Sequence, residues 1–396
     1  MLGWAICVPM SCLVPKKKNL VLFMGRFQGE FFGNVKYLYL YLHRLRKGNV
    51  RYYFFTEHKS VYKTLKQNNL PVIFHPTLFS IYTLLRTNII IVSSTAWIKK
   101  CKYHLLFRAK KVQLFHGLAL KKVELAVPWR AEYNNSPRGR LDNAIRGRFP
   151  LYDLLISTSE YCTKNVFSKE FRTREFLESG YPRNDIFFTD QPNEYASLGS
   201  DKETLSKINK LRTEGYKIIL YAPTFRDTGG DAIMDGAMNS KQLSEFAGKY
   251  KVVFVFKLHI STSLKYESET YDNILQYDNT KDIQPLLKVS NVLITDYSSV
   301  CMDYLLLDRP VIFFPYDYEK YIQKDRDMMF DYEWITVGPK CYSQQQLQKA
   351  LADYIVDGKD DFARRRKEIR NVIWKYKDGN ASERIWDFIK ERYIKT

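Results

Sequence analysis

The chain has 396 residues, with 62 Lys+Arg against 43 Asp+Glu and a formal net charge of +19. That length exceeds one hydrophobic core and predicts two or three domains, while 45% apolar and 15% aromatic residues exclude a disordered chain. No run reaches the roughly 20 apolar residues that span a bilayer, and Cys7, Cys12, Cys101, Cys162, Cys301 and Cys341 show neither zinc spacing nor a dense disulfide pattern, which points to a reducing cytoplasm.

In chain order, residues 1–18 open with an apolar run, Met1 to Val14, followed by Lys16, Lys17 and Lys18. A secretory signal places its charges first, so the order argues against one. The segment either lies in a lipid headgroup layer with Trp4 buried or packs on the protein. From residue 19, short β-rich runs alternate with helical patterns. The first half predicts strands at 19–24, 50–55, 88–92, 111–115, 154–158 and 176–180, with helices at 35–45 and 160–170. After a polar stretch, 190–201, the pattern restarts. Strands are predicted at 217–221, 252–258, 273–276, 292–295 and 311–314, with helices at 241–249, 283–288, 299–307 and 343–356. Strand-then-helix repetition predicts α/β architecture with parallel sheets. The expected arrangement is two Rossmann-like doubly wound domains, 19–195 and 205–375, facing a cleft where ligands meet the carboxyl ends of the strands. Two basic amphipathic helices, 360–376 and 381–393, end the chain, and residues 376–396 are expected to cross back onto the first domain.

The charge is unevenly placed. Residues 1–150 carry 26 Lys+Arg and 5 Asp+Glu, whereas residues 151–396 carry 36 and 38. Such asymmetry predicts an anionic partner for the first half: a membrane face, a phosphorylated acceptor or a nucleic acid. Arg130, Arg138, Arg140, Arg146 and Arg148 occupy a loop-like stretch suited to lipid phosphate.

Several strand ends carry residues fit for chemistry. Gln113–Gly117 ends with His116, a side chain able to accept a proton near neutral pH; Gly117 permits a sharp turn, and Lys121 and Lys122 follow. Thr224 and Arg226 follow the strand 217–221 and suit phosphate or ribose. Lys257 and His259, two apart at a strand tip, face the same way. Thr295, Asp296, Ser298 and Ser299 stand where a buried strand meets a helix, and the serines occupy N-cap positions that suit a phosphate. Each also has a plainer reading as a cap, a turn or a structural histidine. Gly25, Gly29 and Gly33 predict a tight loop after the first strand. Neither a P-loop nor a G-x-G-x-x-G is present. Asp325-Arg326-Asp327 reads as a solvated charged loop, and no metal or other cofactor is expected.

The ordered set Phe115-His116-Gly117 with Lys121-Lys122, Ser159-Glu160-Tyr161, Gly180–Asp185, Tyr221–Arg226, Lys257-Leu258-His259 and Thr295–Ser299 continues through Asp303-Tyr304, Asp308-Arg309-Pro310 and Phe330–Glu333 to Gly338-Pro339. Over roughly residues 17–390 it resembles the CDP-glycerol glycerophosphotransferase family, the teichoic-acid primases and polymerases. Departures are Leu118-Ala119-Leu120 after the His-Gly pair and Ile260 after the second histidine.

The resemblance implies a glycosyltransferase-B-type fold at the cytoplasmic membrane face, peripherally bound. It implies transfer of an alditol phosphate from CDP-glycerol or CDP-ribitol to a lipid-diphosphate-linked glycan, with CMP released. His116 falls on the proposed base. His259 and Thr295–Ser299 fall on the donor site. The alternatives are a nucleotide-sugar transferase of the same fold and a non-enzymatic polyanion-binding protein; under the main reading no nucleic-acid partner is expected.

Overall fold

A computed structural model describes residues 3–45, 49–189, 197–224, 226, 232–258, 271–324 and 328–395. The chain divides into two compact units. Residues 3–116, 123–189 and 375–395 form the first; Gly117–Lys122 and residues 197–374 form the second.

The first unit is built on seven parallel strands: β1 (Lys17–Met24), β2 (Arg51–Thr56), β3 (Val72–Phe74), β4 (Thr87–Val92), β5 (Lys110–Gln113), β6 (Leu154–Ser157) and β7 (Phe176–Glu178). Their order is β3-β2-β1-β4-β5-β6-β7. Strands covered on both faces read as unbroken apolar runs. Leu20 to Met24 and Ile89 to Val92 accordingly lie at 0–5% exposure. The helix Gly33–Leu45 covers one face through Val35, Leu38, Tyr39 and Leu42, all buried.

The second unit has five parallel strands: β8 (Lys217–Tyr221), β9 (Val252–Phe256), β10 (Ile274–Gln276), β11 (Val292–Thr295) and β12 (Val311–Phe313), in the order β10-β9-β8-β11-β12. Gly338-Pro339 closes its edge. A side chain at Gly338 would come within 1.8 Å of the Val311 carbonyl; across this approach the Phe313 N–H donates to the Pro339 carbonyl at 2.9 Å and the Cys341 N–H to the Phe313 carbonyl at 2.8 Å.

Both sheets are therefore doubly wound. The order in which strands are added reverses between β1 and β4 in the first and between β8 and β11 in the second, which are the topological switch points where such sheets bind ligands.

The terminal segments belong to the first unit. The helix Val8–Leu13 packs on the helices Lys102–Leu105 and Leu78–Arg86, and Trp4 Nε1 donates to the Ile145 carbonyl at 2.8 Å. The helix Ala381–Ile389 starts on Asp185, whose carboxylate accepts from the backbone N–H of Ala381 and Ser382 at 3.0 and 2.9 Å. Arg384 donates to the Ser179 carbonyl.

Four sequence expectations differ from the structure. β3, three residues between Pro71 and Pro76, was not expected. The strand expected over 111–115 stops at Gln113, since Phe115 adopts a φ of 50°. The helix expected over 160–170 is broken by a π turn, Thr163–Phe167. The arginine-rich stretch is not a loop but two helices, Pro128–Asn135 and Pro137–Arg146. Proline at the first helical position, the Ser136 hydroxyl on the Gly139 N–H at 3.0 Å and left-handed Gly147 at the far end explain the second helix.

Candidate active site

In the first unit, β5 ends at Gln113 and the chain turns through Phe115 and Gly117, at φ 50° and 141°. Two buried amides hold this turn. Gln113 Oε1 accepts from the Phe115 N–H at 3.0 Å, while its Nε2 donates to Tyr152 Oη at 3.0 Å. Asn34 Nδ2 donates to the Leu114 and Phe115 carbonyls, both at 3.0 Å, and Asn34 Oδ1 accepts from the Arg183 N–H at 3.3 Å.

The turn presents His116, whose Nδ1 lies 3.0 Å from the Ser93 carbonyl at the end of β4. A carbonyl only accepts, so Nδ1 carries the proton and Nε2 keeps its lone pair. Burial first, and then the positive charge of Arg26 with that of Arg183, push the imidazole down to about 3, against the smaller opposing effect of the Ser93 hydrogen bond. The ring is neutral at physiological pH with one bare nitrogen, so Nε2 is free to accept a proton, while burial and the nearby cations make it a weak base.

Gly117–Lys122, although next in sequence, packs in the second unit. It is extended: Lys121 pairs with Met328 as an isolated antiparallel bridge, and Lys121 Nζ sits 4.7 Å from the Tyr321 ring centre. Lys122 is half-buried. Arg138 and Arg140 are exposed on the helix Pro137–Arg146; Arg130 lies on the helix Pro128–Asn135, but its side chain is outside the described residues.

In the second unit, the loops after β8 and β11 meet at the switch point. Asp296 Oδ1 accepts from the Thr224 N–H at 2.8 Å, and Thr295 Oγ1 donates to the Ala222 carbonyl at 2.8 Å. Arg226, 4% exposed, ties the loops together. Its Nη1 lies 2.8 Å from Asp296 Oδ2 and donates to the Thr224 carbonyl at 2.7 Å. Its Nε and Nη2 hold Asp317 at 2.7 and 2.9 Å. The rings of Tyr297 and Tyr321, stacked 3.7 Å apart, lie 5.0 and 5.1 Å from the guanidinium. Burial opposes this charge, but Asp296 and Asp317 outweigh it and raise the Arg226 pKa.

The candidates thus separate by what their polar atoms already do. Thr295, Asp296 and Arg226 are occupied within the loop scaffold. Thr224 Oγ1 is buried without a hydrogen-bond partner. Ser299 makes no capping bond, and Ser298 Oγ accepts from the Val300 N–H only at 3.4 Å. The helix they precede, Val300–Tyr304, is five residues long and continues as a 3-10 turn, Leu305–Leu307. Lys257 Nζ donates to the Asn279 carbonyl at 2.8 Å, and burial lowers it to about 8 despite Asp282 and Asp278.

His259, Ile260 and Asp325–Asp327 lie outside the described residues. Among the described residues, no cluster of three or more His, Cys, Asp or Glu could hold a metal ion. A surface cavity of about 620 Å³ on the first unit is lined by Lys110, the first residue of β5, with Asp153, Arg174, Glu175, Arg392 and Tyr393. Lys110 and Arg174 there pair with Asp153, and Arg392 with Glu175.

Ser93, Asn34, Gln113 and Asp317 carry much of this geometry yet had no sequence signal. Arg183 stood within a quoted motif, although nothing in its spacing assigned it a role.

The tautomer has a direct test. Nitrogen-15 spectra of His116 are expected to show protonated Nδ1 and bare Nε2 from pH 8 to 5, with no titration near 6.5. The folded state refuses a proton that the unfolded chain accepts, so this histidine's contribution to stability falls as pH drops below about 6.5. An imidazolium signal at pH 6 would contradict the geometry.

Residues 6–391 match the family described as CDP-Glycerol:Poly(glycerophosphate) glycerophosphotransferase. The teichoic acid poly(glycerol phosphate) polymerase of Bacillus subtilis is 27% identical over 86% of this chain, which spans 45% of that protein's length. The teichoic acid glycerol-phosphate transferase of Staphylococcus aureus is 27% identical over 93% of this chain and 92% of its own. A variant of the wall teichoic acid polymerase TagF, soaked with CDPG, shares the fold with a TM-score of 0.74 at 22% identity, covering 96% of this chain and 90% of that one. The doubly wound pair of units is therefore of the glycosyltransferase-B class, and by its match over nearly the whole length the chain belongs to the CDP-glycerol glycerophosphotransferase family.

Proposed function

We propose that the chain transfers glycerol phosphate from CDP-glycerol to a hydroxyl of a lipid-linked acceptor, in the synthesis of a teichoic-acid-type polymer. The observation that carries the reading is the hydrogen bond from His116 Nδ1 to the Ser93 carbonyl, which leaves Nε2 with its lone pair, in a chain that matches this family over residues 6–391.

The acceptor hydroxyl gives its proton to Nε2 as its oxygen bonds to the β-phosphorus. The bond from that phosphorus to the bridging oxygen breaks, and CMP leaves. No covalent enzyme intermediate is required, so the protein contributes positioning and charge. On the second unit, the hydroxyls of Thr224, Ser298 and Ser299 and the ammonium of Lys257 are the groups assigned to the diphosphate. Arg226, Asp296 and Thr295 hold the loops that carry them. His259 keeps the donor role that the family resemblance implies. Glycerol is preferred to ribitol because both relatives above are glycerol-phosphate enzymes by name.

The test is product mass spectrometry with CDP-glycerol, CDP-ribitol and UDP-sugars offered in parallel. The expected result is CMP release and an added glycerol phosphate mass. Sugar addition with UDP release would establish the nucleotide-sugar alternative and overturn the reading.

We also place the chain at an anionic membrane surface. Ile6, Leu13, Leu78, Phe79 and Leu141 are exposed on the first unit, the half that carries the charge surplus. Exposed apolar groups beside cations suit a headgroup layer. Binding to phosphatidylglycerol vesicles is expected to weaken as salt rises from 50 to 500 mM; equal binding to neutral vesicles would count against it.

A further inference from the structure

The loop after β1 enters the chemistry above only through the charge of Arg26 on His116, yet it is built at a cost. A side chain at Gly25 would come within 1.9 Å of the Glu30 carbonyl. Gly29, at φ 109°, passes so close to β2 that a side chain would lie 2.4 Å from the Phe55 carbonyl. Between them Phe27 and Gln28 adopt φ values of 40° and 65°. Left-handed non-glycine residues cost on the order of 1–3 kcal/mol each and persist only where their surroundings fix them. The surroundings do so here. Thr56 Oγ1 donates to the Gly29 carbonyl at 2.8 Å, the Glu57 N–H to Gln28 at 2.9 Å and His58 Nε2 to Phe27 at 2.6 Å.

The loop leaves β1 beside β4, with Met24 in register with Val92. It packs on the turn Thr95–Ile98 that follows β4. This is the switch point of the first sheet. The loop sets Arg26 there, half-buried, with its guanidinium 4.8 Å from the Phe27 ring centre. Among the described residues nothing accepts a hydrogen bond from that guanidinium. Glu30 is its acidic neighbour, but no ion pair within 4.0 Å joins them.

A half-buried cation without an acceptor is costly unless an anion completes it. Ser93, across the switch point at the end of β4, is 2% exposed and its Oγ has no hydrogen-bond partner. The carbonyl of the same residue fixes His116. The Arg26 charge is felt at that imidazole.

We propose that Arg26 and Ser93 Oγ bind a phosphate of the acceptor, so that the hydroxyl offered to His116 belongs to a phosphorylated chain end rather than a bare sugar. The inference rests on the base role given to His116 above. It makes the enzyme one that extends an existing glycerol phosphate. The guanidinium fork accounts for the choice of arginine. An anion on Arg26 also offsets a cation that weakens the base, so a correct acceptor strengthens the imidazole that must take its proton.

The experiment measures binding of sn-glycerol 3-phosphate and of glycerol, followed through the His116 nitrogen-15 signals and by calorimetry. Wild type, Arg26→Gln and Arg26→Lys are compared by both methods, and His116→Ala by calorimetry. Wild type is expected to bind the phosphate and not glycerol. Arg26→Gln is expected to bind it about 10–100-fold more weakly, the loss of a charged hydrogen-bonded contact. Arg26→Lys is expected to fall between, and it carries the test should the glutamine variant not fold. In turnover, Arg26→Gln is expected to raise KM for an acceptor ending in glycerol phosphate about tenfold, with the donor KM within about twofold. Phosphate binding unchanged in either variant, or equal binding of glycerol, overturns the proposal and leaves Arg26 as packing for Phe27. His116→Ala separates the two readings: retained turnover there removes the base, while retained phosphate binding leaves the Arg26 site standing.

Discussion

The hydrogen bond from His116 Nδ1 to the Ser93 carbonyl joins the ends of two neighbouring strands, and the role proposed for the first unit depends on it. It selects one tautomer and leaves Nε2 as the atom that can accept a proton. The bond is possible only because β5 stops at Gln113 and the chain then turns through two residues of positive φ. That turn would be unstable in isolation. Gln113 and Asn34, both buried, supply the hydrogen bonds that the strand no longer makes. A buried amide left without its partners costs roughly 1–3 kcal/mol, so these residues constrain the turn tightly. Burial, and then the nearby cations, keep the imidazole neutral.

The second unit solves a related problem by another means. The loops after β8 and β11 are held by a buried cluster in which Arg226 bridges Asp296 and Asp317 beside two stacked tyrosine rings. Removing one member of such a cluster strands a buried charge, which typically costs about 3–5 kcal/mol. The cluster is best understood as scaffold: it uses its own hydrogen-bonding capacity and does not draw on the hydroxyls of Thr224, Ser298 and Ser299. Each unit thus places its chemically available groups at its own switch point, one through buried amides and the other through a buried ion cluster.

The strands were legible because apolar runs such as Leu20–Met24 and Val252–Phe256 have few other fates. The two-unit division was legible from the restart of the pattern near residue 215. Less was visible where a side chain overrides a local pattern. Gln113 ends a strand that its neighbours would continue, and Arg226, read as a ligand contact, is enclosed by Asp317 and Tyr321, some ninety residues away in sequence. The histidine was legible as a candidate; its tautomer and its neutrality were not, because they come from the Ser93 carbonyl just past β4 and from burial with the Arg26 charge in the loop after β1. Glycine spacing after β1 hinted at a tight loop, but only the positive φ values of Phe27 and Gln28 reveal what that loop sets in place.

The most direct test of His116 as the base separates donor binding from turnover in His116→Ala. Calorimetry with CDP-glycerol is expected to give a Kd within about twofold of wild type. CMP release with acceptor present is expected to fall about 10²–10⁴-fold, the usual worth of a general base. A folded variant that binds the donor and still turns over at a rate near wild type would contradict the account.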